Sequence, residues 1–406
     1  MSEVRPGYKQ TEVGEITEQI FLGELFISKP KDLSVSTDEM VTFLGMEDIS
    51  VDGNIISQKL IKRDEIRAGL TAFAKNDVLV AKITPCFENG KGACLDTLST
   101  EFGYGSTEFH VLRSRSTACN RYIFYHTQSE SFRKKLELEM VGTAGQKRVS
   151  LNAIERYLLP VRHSLAEQTA IAAVLSDTDA LIQGLDQLIA KKRNIKQGAM
   201  QELLTGKKRL PGFAGEWEKK KVSEVGEIIT GSTPPTSNKT YWNGDIPWIT
   251  PTDISAIRDI WCSERQITQY GLKVLRQLPA NTLLVTCIAS IGKNSILRKT
   301  GACNQQINAV IPDDKHNVDY LYYLIENDKF HLLSRAGITA TNIVSKREFM
   351  EIVFVFPPTL AEQTAIAAVL SDMDAEIAAL EQKRDKYKAI KRGMMQELLN
   401  GKTRLV

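Results

Sequence analysis

The sequence predicts an α+β protein that arose by internal duplication. Two globular mixed α/β domains are separated by two long antiparallel helices, and a pseudo-twofold axis relates the halves. Three observations lead to this prediction. The thirteen residues LAEQTAIAAVLSD stand at 165–177 and again at 360–372. Apolar residues continue from each copy at heptad-like spacing. The segments before each copy contain short strand-like runs, such as VLVAKI at 78–83 and LLVTCI at 283–288, between Gly, Asn and Pro loops.

Length and composition limit the class of protein. A chain of 406 residues with 42% hydrophobic and 25% charged residues is long enough for two or three globular domains. The net charge of +3 gives no global basic field, although a local basic stripe remains possible. Six cysteines without a CxxC pair, no secretion signal and no apolar run of about 18 residues predict reduced thiols, a cytoplasmic location and no membrane association.

The duplicated stretch is longer than its identical core. Residues 165–210 align with 360–405 without a gap, and 31 of the 46 positions are identical. The heptad-like apolar pattern and the glycine at each end predict one helix per copy, at about 164–205 and 359–400. A helix with one narrow apolar stripe needs a partner, and we expect each copy to pack against the other. A docking surface for another subunit is a second use of the same helices.

Both helices begin with the pattern of a capping box. Ser164 precedes Glu167 by three residues, and Thr359 precedes Glu362 by three. In such a box the hydroxyl accepts a hydrogen bond from a first-turn N–H, and the glutamate reaches back to the cap residue. The pattern therefore predicts both hydrogen bonds at each helix start.

The globular segments repeat each other in diverged form. The chain accordingly divides into 1–163, a helix at 164–206, 207–358, and a helix at 359–406. The matched stretches are Leu22–Leu25 with Val225–Ile228, Glu47–Ser50 with Thr252–Ser255, Asn76–Val80 with Asn281–Val285, Gly90–Lys91 with Gly292–Lys293, Tyr122–Tyr125 with Tyr320–Tyr323, and 142–150 with 337–345. A shared frame with different loops favours recognition over catalysis.

Motifs for catalysis, metals and cofactors are missing from the sequence. The Gly-Lys pairs lack the first glycine of a phosphate loop, because Pro85 and Cys287 occupy that position. Residues 312–315 suggest a carboxylate–lysine nuclease cluster, but the motif is incomplete and reads better as a solvated turn. The five histidines have no metal-ligand spacing. The sequence therefore predicts no catalytic residue, no metal site and no cofactor in this chain.

The loops carry the residue types that contact DNA. The stretch GSTPPTSNKTYWNGD at 231–245 combines hydroxyls, an amide, a lysine and aromatics, and GTAGQKRVS at 142–150 offers glutamine, lysine and arginine. Glutamine can bind adenine, arginine can bind guanine, and lysine suits phosphates. The predicted DNA-binding residues are Lys91, Thr143, Gln146, Lys147, Arg148, Ser232, Thr233, Lys239, Tyr241, Lys293, Asn304, Gln305, Thr341, Asn342 and Lys346.

The twin LAEQTAIAAVLSD helices, each ending in QELL-x-GK, resemble the helices of specificity subunits of Type I restriction–modification systems. The stretch GSTPPTSNKTYWNGDIPWITPTDI at 231–254 is similar to the start of many target recognition domains of that family. The resemblance covers essentially the whole chain. The first domain departs from it, because FISKPKDLSVSTDEM at 26–40 stands where the second domain has its GSTPP loop.

This resemblance implies a non-catalytic reader of a bipartite double-stranded DNA target, with one half-site for each target recognition domain. Two modification subunits, which would carry S-adenosylmethionine and methylate adenine, would dock on the helices, and restriction subunits that translocate and cleave DNA would join them. Two alternatives remain at this stage: a DNA-processing enzyme with an unrecognised nuclease site, and a structural adaptor with no DNA role.

Overall fold

The computed structural model describes residues 8–11, 14–28, 35–143, 145–254, 257–288, 290–329 and 343–405. The chain forms two compact units. Unit 1 comprises residues 1–186 with 383–406, and unit 2 comprises residues 187–382. Each long helix therefore contributes one part to each unit. The four-segment division predicted from the sequence separates globular from helical segments, which these units do not test, and it stays a prediction.

The described helices and strands confirm a mixture of both types. The helices are α1 (Asn120–Gln128), α2 (Glu130–Glu137), α3 (Leu151–Glu155), α4 (Leu165–Leu203), α5 (Gln269–Lys273), α6 (Val318–Asn327), α7 (Lys346–Met350) and α8 (Leu360–Leu399). The strands are β1 (Tyr8–Thr11), β2 (Gly14–Thr17), β3 (Ile20–Phe21), β4 (Phe26–Ser28), β5 (Met40–Leu44), β6 (Lys59–Lys62), β7 (Thr71–Ala74), β8 (Val78–Ala81), β9 (Gly92–Cys94), β10 (Phe102–Gly105), β11 (Phe109–Ser114), β12 (Leu158–Leu159), β13 (Glu218–Lys221), β14 (Gly226–Thr230), β15 (Trp242–Ile249), β16 (Asp259–Ile260), β17 (Gln266–Ile267), β18 (Thr282–Thr286), β19 (Asn294–Leu297), β20 (Ala302–Cys303), β21 (Ile307–Pro312) and β22 (Val353–Phe356). None of the helices within the described ranges is long and apolar enough to cross a membrane.

One sheet forms the centre of each unit, and we call it the larger sheet because it has the most strands in unit 2. Its strand order is β4-β11-β8-β9 in unit 1 and β14-β21-β18-β19-β16 in unit 2. The first four strands correspond one to one, and their pairings are antiparallel in both units. The central strands β8 and β18 are buried along their whole length, as their continuous apolar sequences require. Helices α1 and α6 pack on these sheets at equivalent places.

A second sheet, which we call the smaller sheet, stands beside each larger one; it has fewer strands in unit 2 and the same number in unit 1. Its order is β6-β5-β10-β7 in unit 1 and β17-β15-β20 in unit 2. In both, one neighbour of the long strand is antiparallel and the other is parallel. The predicted α+β class is therefore confirmed, and the two units repeat one arrangement of strands.

Most of the predicted sequence matches are structural matches. Asn76 and Asn281 both have positive φ, at 71° and 63°, just before strands β8 and β18. The carboxylates of Asp48 and Asp253 each accept the backbone N–H three residues earlier, at 2.7 and 2.8 Å. Shared side-chain roles of this kind show that the duplication extends through the globular parts.

One predicted match is wrong by three residues. The sequence aligned Leu22–Leu25 with Val225–Ile228 through their Gly-Glu pairs. The structure instead equates two 3₁₀ turns, Leu22–Glu24 and Val222–Glu224, each with a glutamate at its third position. The Gly-Glu pair at 226–227 belongs to the following strand β14. The identical Gly-Glu pairs therefore do not occupy equivalent positions, whereas the two 3₁₀ turns do.

Within each unit, α4 and α8 run antiparallel, as predicted. Rising numbers on one helix meet falling numbers on the other. The interhelical ion pairs are Asp179–Lys391 at 2.5 Å and Asp186–Arg384 at 3.3 Å in unit 1, and Lys192–Glu376 at 2.6 Å and Lys196–Asp374 at 2.5 Å in unit 2. On α4, Leu175, Ile182 and Leu185 are buried in unit 1, and Ile189 is buried in unit 2. Each helix therefore finds its partner in the other copy.

One tyrosine in each unit ties the globular core to the helix pair. The Tyr125 hydroxyl donates to Asp179 Oδ2 at 2.9 Å, and the Tyr323 hydroxyl donates to Asp374 Oδ2 at 2.7 Å. The lysine that pairs with each aspartate also lies over the tyrosine ring, 5.3 Å from its centroid in both units. The same three-residue contact thus occurs twice.

The Glu-Gln pair inside each LAEQT segment explains part of the sequence identity. Gln168 Oε1 accepts the N–H of Cys119 at 3.0 Å, and Gln363 Oε1 accepts the N–H of Asn317 at 2.9 Å. Both accepted N–H groups lie at the start of the helix that covers the larger sheet. Identical letters on the long helices therefore make equivalent contacts with each unit's own core.

The capping boxes form only in part. The cap hydroxyls accept the N–H groups of Glu167 and Glu362 at 3.2 Å, as predicted. The predicted return bonds from the glutamates are wrong, because Glu362 pairs with Arg209 at 2.6 Å and Glu167 pairs with Arg404. Both carboxylates are almost fully buried, and a buried charge requires a charged partner. Two arginines beyond the helix ends provide it.

Candidate nucleic-acid interface

In unit 2, one end of the larger sheet gathers the loops that the sequence singled out. Strands β14 and β18 end here and β21 and β19 begin here, since Thr230 pairs with Asn308, Asn308 with Val285, and Val285 with Asn294. We call this edge, and its equivalent in unit 1, the loop end. Side chains that are distant in sequence meet there because of the strand register.

The loop at 231–241 is held against the sheets by two indoles. Trp248 Nε1 donates to the carbonyl of Ser232 at 3.0 Å, and Trp242 Nε1 donates to the carbonyl of Pro235 at 3.3 Å. A Cβ on Gly231 would lie 2.2 Å from a carbonyl oxygen of the facing strand, so only glycine permits this approach. The loop is therefore positioned by its backbone, which leaves its side chains available.

Four predicted residues of unit 2 lie together at the loop end. Ser232 and Thr233 are exposed, and the Thr233 hydroxyl donates to Gln305 Oε1 at 2.8 Å. Asn304 is buried, and its Oδ1 accepts the N–H of Gln306 at 3.0 Å. Three of the four thus face solvent, whereas Asn304 shapes the turn that carries Gln305.

Two other predicted residues stand at the far end of the same loop. Lys239 is exposed and begins a 3₁₀ turn, which the side chain of Asn238 caps at 3.1 Å. Tyr241 is half-buried and packs against the cluster that contains Trp242 and Trp248. The lysine is available to an anion, and the tyrosine mainly supports the loop.

The remaining candidates of unit 2 are spread more widely. Lys293 is exposed after the β18–β19 turn and lines a cavity whose other walls include both long helices. Lys346 is half-buried at the first position of α7. Thr341 and Asn342 lie outside the described residues. The DNA-binding role of each of these stays a prediction.

In unit 1, the loop end is formed by two segments. Isolated bridges join Arg148 to Ile83 and to Val141, which brings Thr143 and residues 145–147 beside the β8–β9 turn. Thr143, Gln146 and Lys147 are exposed there. The structure therefore places the candidates of unit 1 at the position that corresponds to the loop end of unit 2.

Arg148 and Lys91 have contacts within the protein. The Arg148 guanidinium donates to both oxygens of Glu108, at 2.8 and 3.0 Å. These hydrogen bonds hold the pKa of Glu108 below its usual value and raise the pKa of Arg148. The Lys91 ammonium donates to the carbonyl of Met46 at 2.8 Å. Base contact by Arg148 would require it to exchange the carboxylate for a base edge.

Two arginines that lie over aromatic rings of the smaller sheets were not predicted from the sequence. The guanidinium carbon of Arg265 is 4.0 Å from the ring centroid of Trp242 and 5.2 Å from that of Trp248. In unit 1, the guanidinium carbon of Arg63 is 4.6 Å from the centroid of Tyr104. Strand pairing in the smaller sheets brings each arginine close to its ring. No local pattern in the sequence predicts this contact.

Titratable clusters at the interface do not resemble a metal centre. Within the described ranges, no group of three or more His, Cys, Asp or Glu side chains is arranged to hold a metal ion. The exposed side chains at the loop ends are mainly hydroxyls, amides and cations, which are groups that donate hydrogen bonds to nucleic acids.

Known proteins share both sequence and fold with this chain. Residues 214–389 match the family model for the Type I restriction modification DNA specificity domain. The Type I restriction enzyme MjaIX specificity subunit of Methanocaldococcus jannaschii is 37% identical over 165 residues, which are 39% of this chain and 38% of that protein. The EcoEI specificity subunit of Escherichia coli is 36% identical over 200 residues, which are 48% of this chain and 33% of that protein. The chain thus matches 38% and 33% of the length of these two relatives.

Solved structures share the fold over nearly the whole chain. The S subunit of a Type I restriction–modification system from M. genitalium superposes with a TM-score of 0.60 at 14% identity, covering 97% of this chain and 98% of that one. A chain from a study of assembly and conformational transition in the type I R-M system gives a TM-score of 0.58 at 19% identity, covering 99% and 100%. Residues 214–389 are therefore similar in sequence to the Type I restriction modification DNA specificity domain, and the solved structures show that the whole chain shares the fold of these S subunits.

Proposed function

We propose that this chain is the DNA-reading subunit of a Type I restriction–modification complex and that it has no catalytic activity of its own. Each unit would read one half-site of a bipartite double-stranded target through its loop end. The matched family model, which is that of a DNA specificity domain, supports this assignment.

One observation carries the proposal: the two units repeat each other at the helices and differ at the loop ends. The contact between Tyr125 and Asp179 recurs at Tyr323 and Asp374. In contrast, the loop at 231–241 differs in sequence from FISKPKDLSVSTDEM at 26–40, which stands at the corresponding place in unit 1. A duplicated scaffold with two unlike sets of exposed polar side chains suits the reading of two unlike half-sites.

The helices provide two equivalent surfaces, and we propose that two modification subunits dock on them. Those subunits would carry S-adenosylmethionine and perform the methylation, and restriction subunits would join the same complex. This chain then needs no cofactor and acts where the DNA is, in the cytoplasm.

The test maps methylated adenines in a host strain with and without this chain, and in a strain carrying Gln146→Ala. We expect a bipartite methylated motif that requires the chain. In the Gln146→Ala strain one half-site should change, because glutamine discriminates a base by about 1–3 kcal/mol. Gln128→Ala, an exchange of the same type on α1 of unit 1, is the matched control and should leave the motif unchanged.

Two results would contradict the proposal. Cleavage or methylation of DNA by the purified chain alone would favour a DNA-processing enzyme. Absence of salt-dependent binding to any duplex, together with an unchanged methylation map, would favour a structural adaptor.

A further inference from the structure

A solvent-open cleft of about 500 Å³ lies on the smaller sheet of unit 2, next to the loop at 231–241. Its walls are residues 242–244 on one side and 263–266 on the other. Residues 242–244 belong to the stretch at 231–245 that the sequence indicated, but none of the seven is among the predicted DNA-binding residues, and the proposed function does not depend on them.

A bulge in strand β15 creates the cleft. Trp242 and Ile246 both face Ile267 across the sheet, so the residues between them are pushed out of the ladder. Asn243 takes a positive φ of 63° at this point. A Cβ on Gly244 would lie 2.3 Å from the Ile267 carbonyl oxygen, so a larger residue would force the strands apart. Such bulges commonly re-aim side chains at functional sites.

Arg265 is fixed in the cleft by both its backbone and its side chain. Its carbonyl accepts the hydroxyl of Ser263 at 2.6 Å and the N–H of Trp248 at 3.4 Å. Its guanidinium lies over the Trp242 ring at 4.0 Å, a cation–π contact that limits its rotation. Although it is exposed, it forms no ion pair with any carboxylate in the described part of the chain. The guanidinium is therefore held in place with its hydrogen-bond donors free.

The same two indoles that support Arg265 also hold the loop at 231–241, which we call the recognition loop. Trp248 donates to the carbonyl of Ser232, and Trp242 donates to the carbonyl of Pro235. The arginine and the loop thus share one rigid support, and a ligand that contacts the loop would meet Arg265 beside it.

The chemistry of the cleft suits a base edge better than a phosphate. Arg265 has Glu264, Asn243, Gln266 and Ser263 around it, so one cation is balanced by one anion. A phosphate would be repelled by the exposed carboxylate, and phosphate sites usually gather several cations. Base edges present donors and acceptors together, and the planar fork of arginine matches guanine O6 and N7.

We propose that Arg265 reads a guanine in the half-site bound by unit 2. This inference rests on the proposed function, because it assigns one specificity-determining residue to that reading. Arg265 acts by direct contact with the base, and Trp242 and Trp248 act as positioning residues that hold it.

The experiment uses the full chain, with its modification subunits where they are needed for binding. Wild-type protein and Arg265→Lys select from a pool of randomised duplexes, and the selected duplexes are then titrated at several salt concentrations. Arg265→Lys keeps the charge but loses the fork. We expect about 5- to 150-fold weaker discrimination at one guanine of one half-site, with the other half-site and the salt dependence unchanged.

Arg276→Lys is the matched control, since Arg276 is an exposed arginine of the same unit whose side chain forms no hydrogen bond or ion pair with the described residues. It should leave the selected sequences unchanged. A second variant, Arg265→Gln, removes the charge as well and should lose the same guanine preference. Thermal melting of each variant confirms that it is folded.

The inference is overturned if Arg265→Lys selects the wild-type motif. It is also overturned if Arg265→Gln weakens every duplex alike and lowers the salt slope by about one, because that result identifies a phosphate contact. A wild-type chain with no sequence preference would refute the proposed function itself. A wild-type preference that survives Arg265→Lys refutes only the role of Arg265.

Discussion

The two units of this chain agree where they meet the long helices and disagree at their loop ends. Gln168 and Gln363 accept equivalent N–H groups at 3.0 and 2.9 Å, and Glu167 and Glu362 each bind one arginine. At the loop ends, unit 1 has Arg148 engaged by a glutamate, whereas unit 2 has a loop held by two indoles.

This difference reflects two kinds of constraint on the sequence, one on buried contacts and one on exposed loop side chains. A buried polar contact depends on several partners at once, so a change in one residue leaves another unsatisfied. An exposed loop side chain can be exchanged at little cost in stability. The helix-borne contacts therefore stay alike in both units, and the loop ends are the places where the units can come to recognise different ligands.

The largest expected effect comes from breaking one buried contact. Arg209→Ala leaves the fully buried carboxylate of Glu362 without its charged partner. We expect a loss of about 3–5 kcal/mol in the free energy of unfolding, measured by urea denaturation, because an uncompensated buried charge is costly. Arg404→Ala likewise removes the charged partner of buried Glu167, and we expect a similar loss in the free energy of unfolding.

The control for these two variants is an exposed ion pair at the end of α4. Lys208 and Glu202 are both well exposed and 3.8 Å apart, so Lys208→Ala should cost less than about 1 kcal/mol. Two outcomes would contradict this prediction. Arg209→Ala could lose less than about 1 kcal/mol in the free energy of unfolding, or only one of the two arginine variants could show the large loss. Either result would mean that the two buried glutamate–arginine pairs do not stabilise their units equally.

The second prediction is that acid destabilises unit 1 before unit 2. Burial lowers the pKa of His126 to about 3 and that of His110 to about 4, from an ordinary value of 6.5, and both lie in unit 1. Their neutral forms are favoured on folding, so their stabilising effect is complete above pH 6.5. As the pH falls from 6.5 towards 4 and then 3, the unfolded chain takes up protons first, and unit 1 loses stability.

The chain offers a convenient readout for this prediction. All four tryptophans, at 217, 242, 248 and 261, lie in unit 2. Amide hydrogen exchange resolved by peptide should show unit 1 opening at a higher pH than the pH at which tryptophan fluorescence changes. His126→Phe should shift the opening of unit 1 to lower pH. Opening of both units at one pH, unaffected by this exchange, would argue against the histidines as the cause.

The sequence was informative where identical residues form equivalent structures in the two units. The repeat at 165–177 and 360–372 predicted the helices and their antiparallel pairing, because helix periodicity and caps are local signals. It did not predict that Glu167 would bind Arg404, since this pairing joins residues 237 positions apart. The capping-box interpretation considered only neighbours along the chain.

The candidate site shows the same limit. The residue types in the loops at 142–150 and 231–245 indicated DNA contact, but they could not show that Glu108 occupies Arg148 or that Asn304 is buried. Arg265 went unnoticed because its partner Trp242 stands on another strand. Strand register determines which loop residues face solvent together, and the composition of the loops does not predict that register.

The smallest expected effect tests whether exposed lysines and amides at the loop ends act differently. Lys239 is exposed at one end of the recognition loop of unit 2, and we expect Lys239→Ala to weaken binding to every duplex by less than about tenfold while the salt slope falls by about one. Gln146→Ala in unit 1 should leave the salt slope alone and change the preference in one half-site. Titration of both variants against matched and mismatched duplexes, from low to physiological salt, separates the two behaviours. If both variants weaken all duplexes equally, the loop end of unit 1 contacts only the backbone, and its half-site must be read by other residues, with the ring-held Arg63 as the next to be replaced.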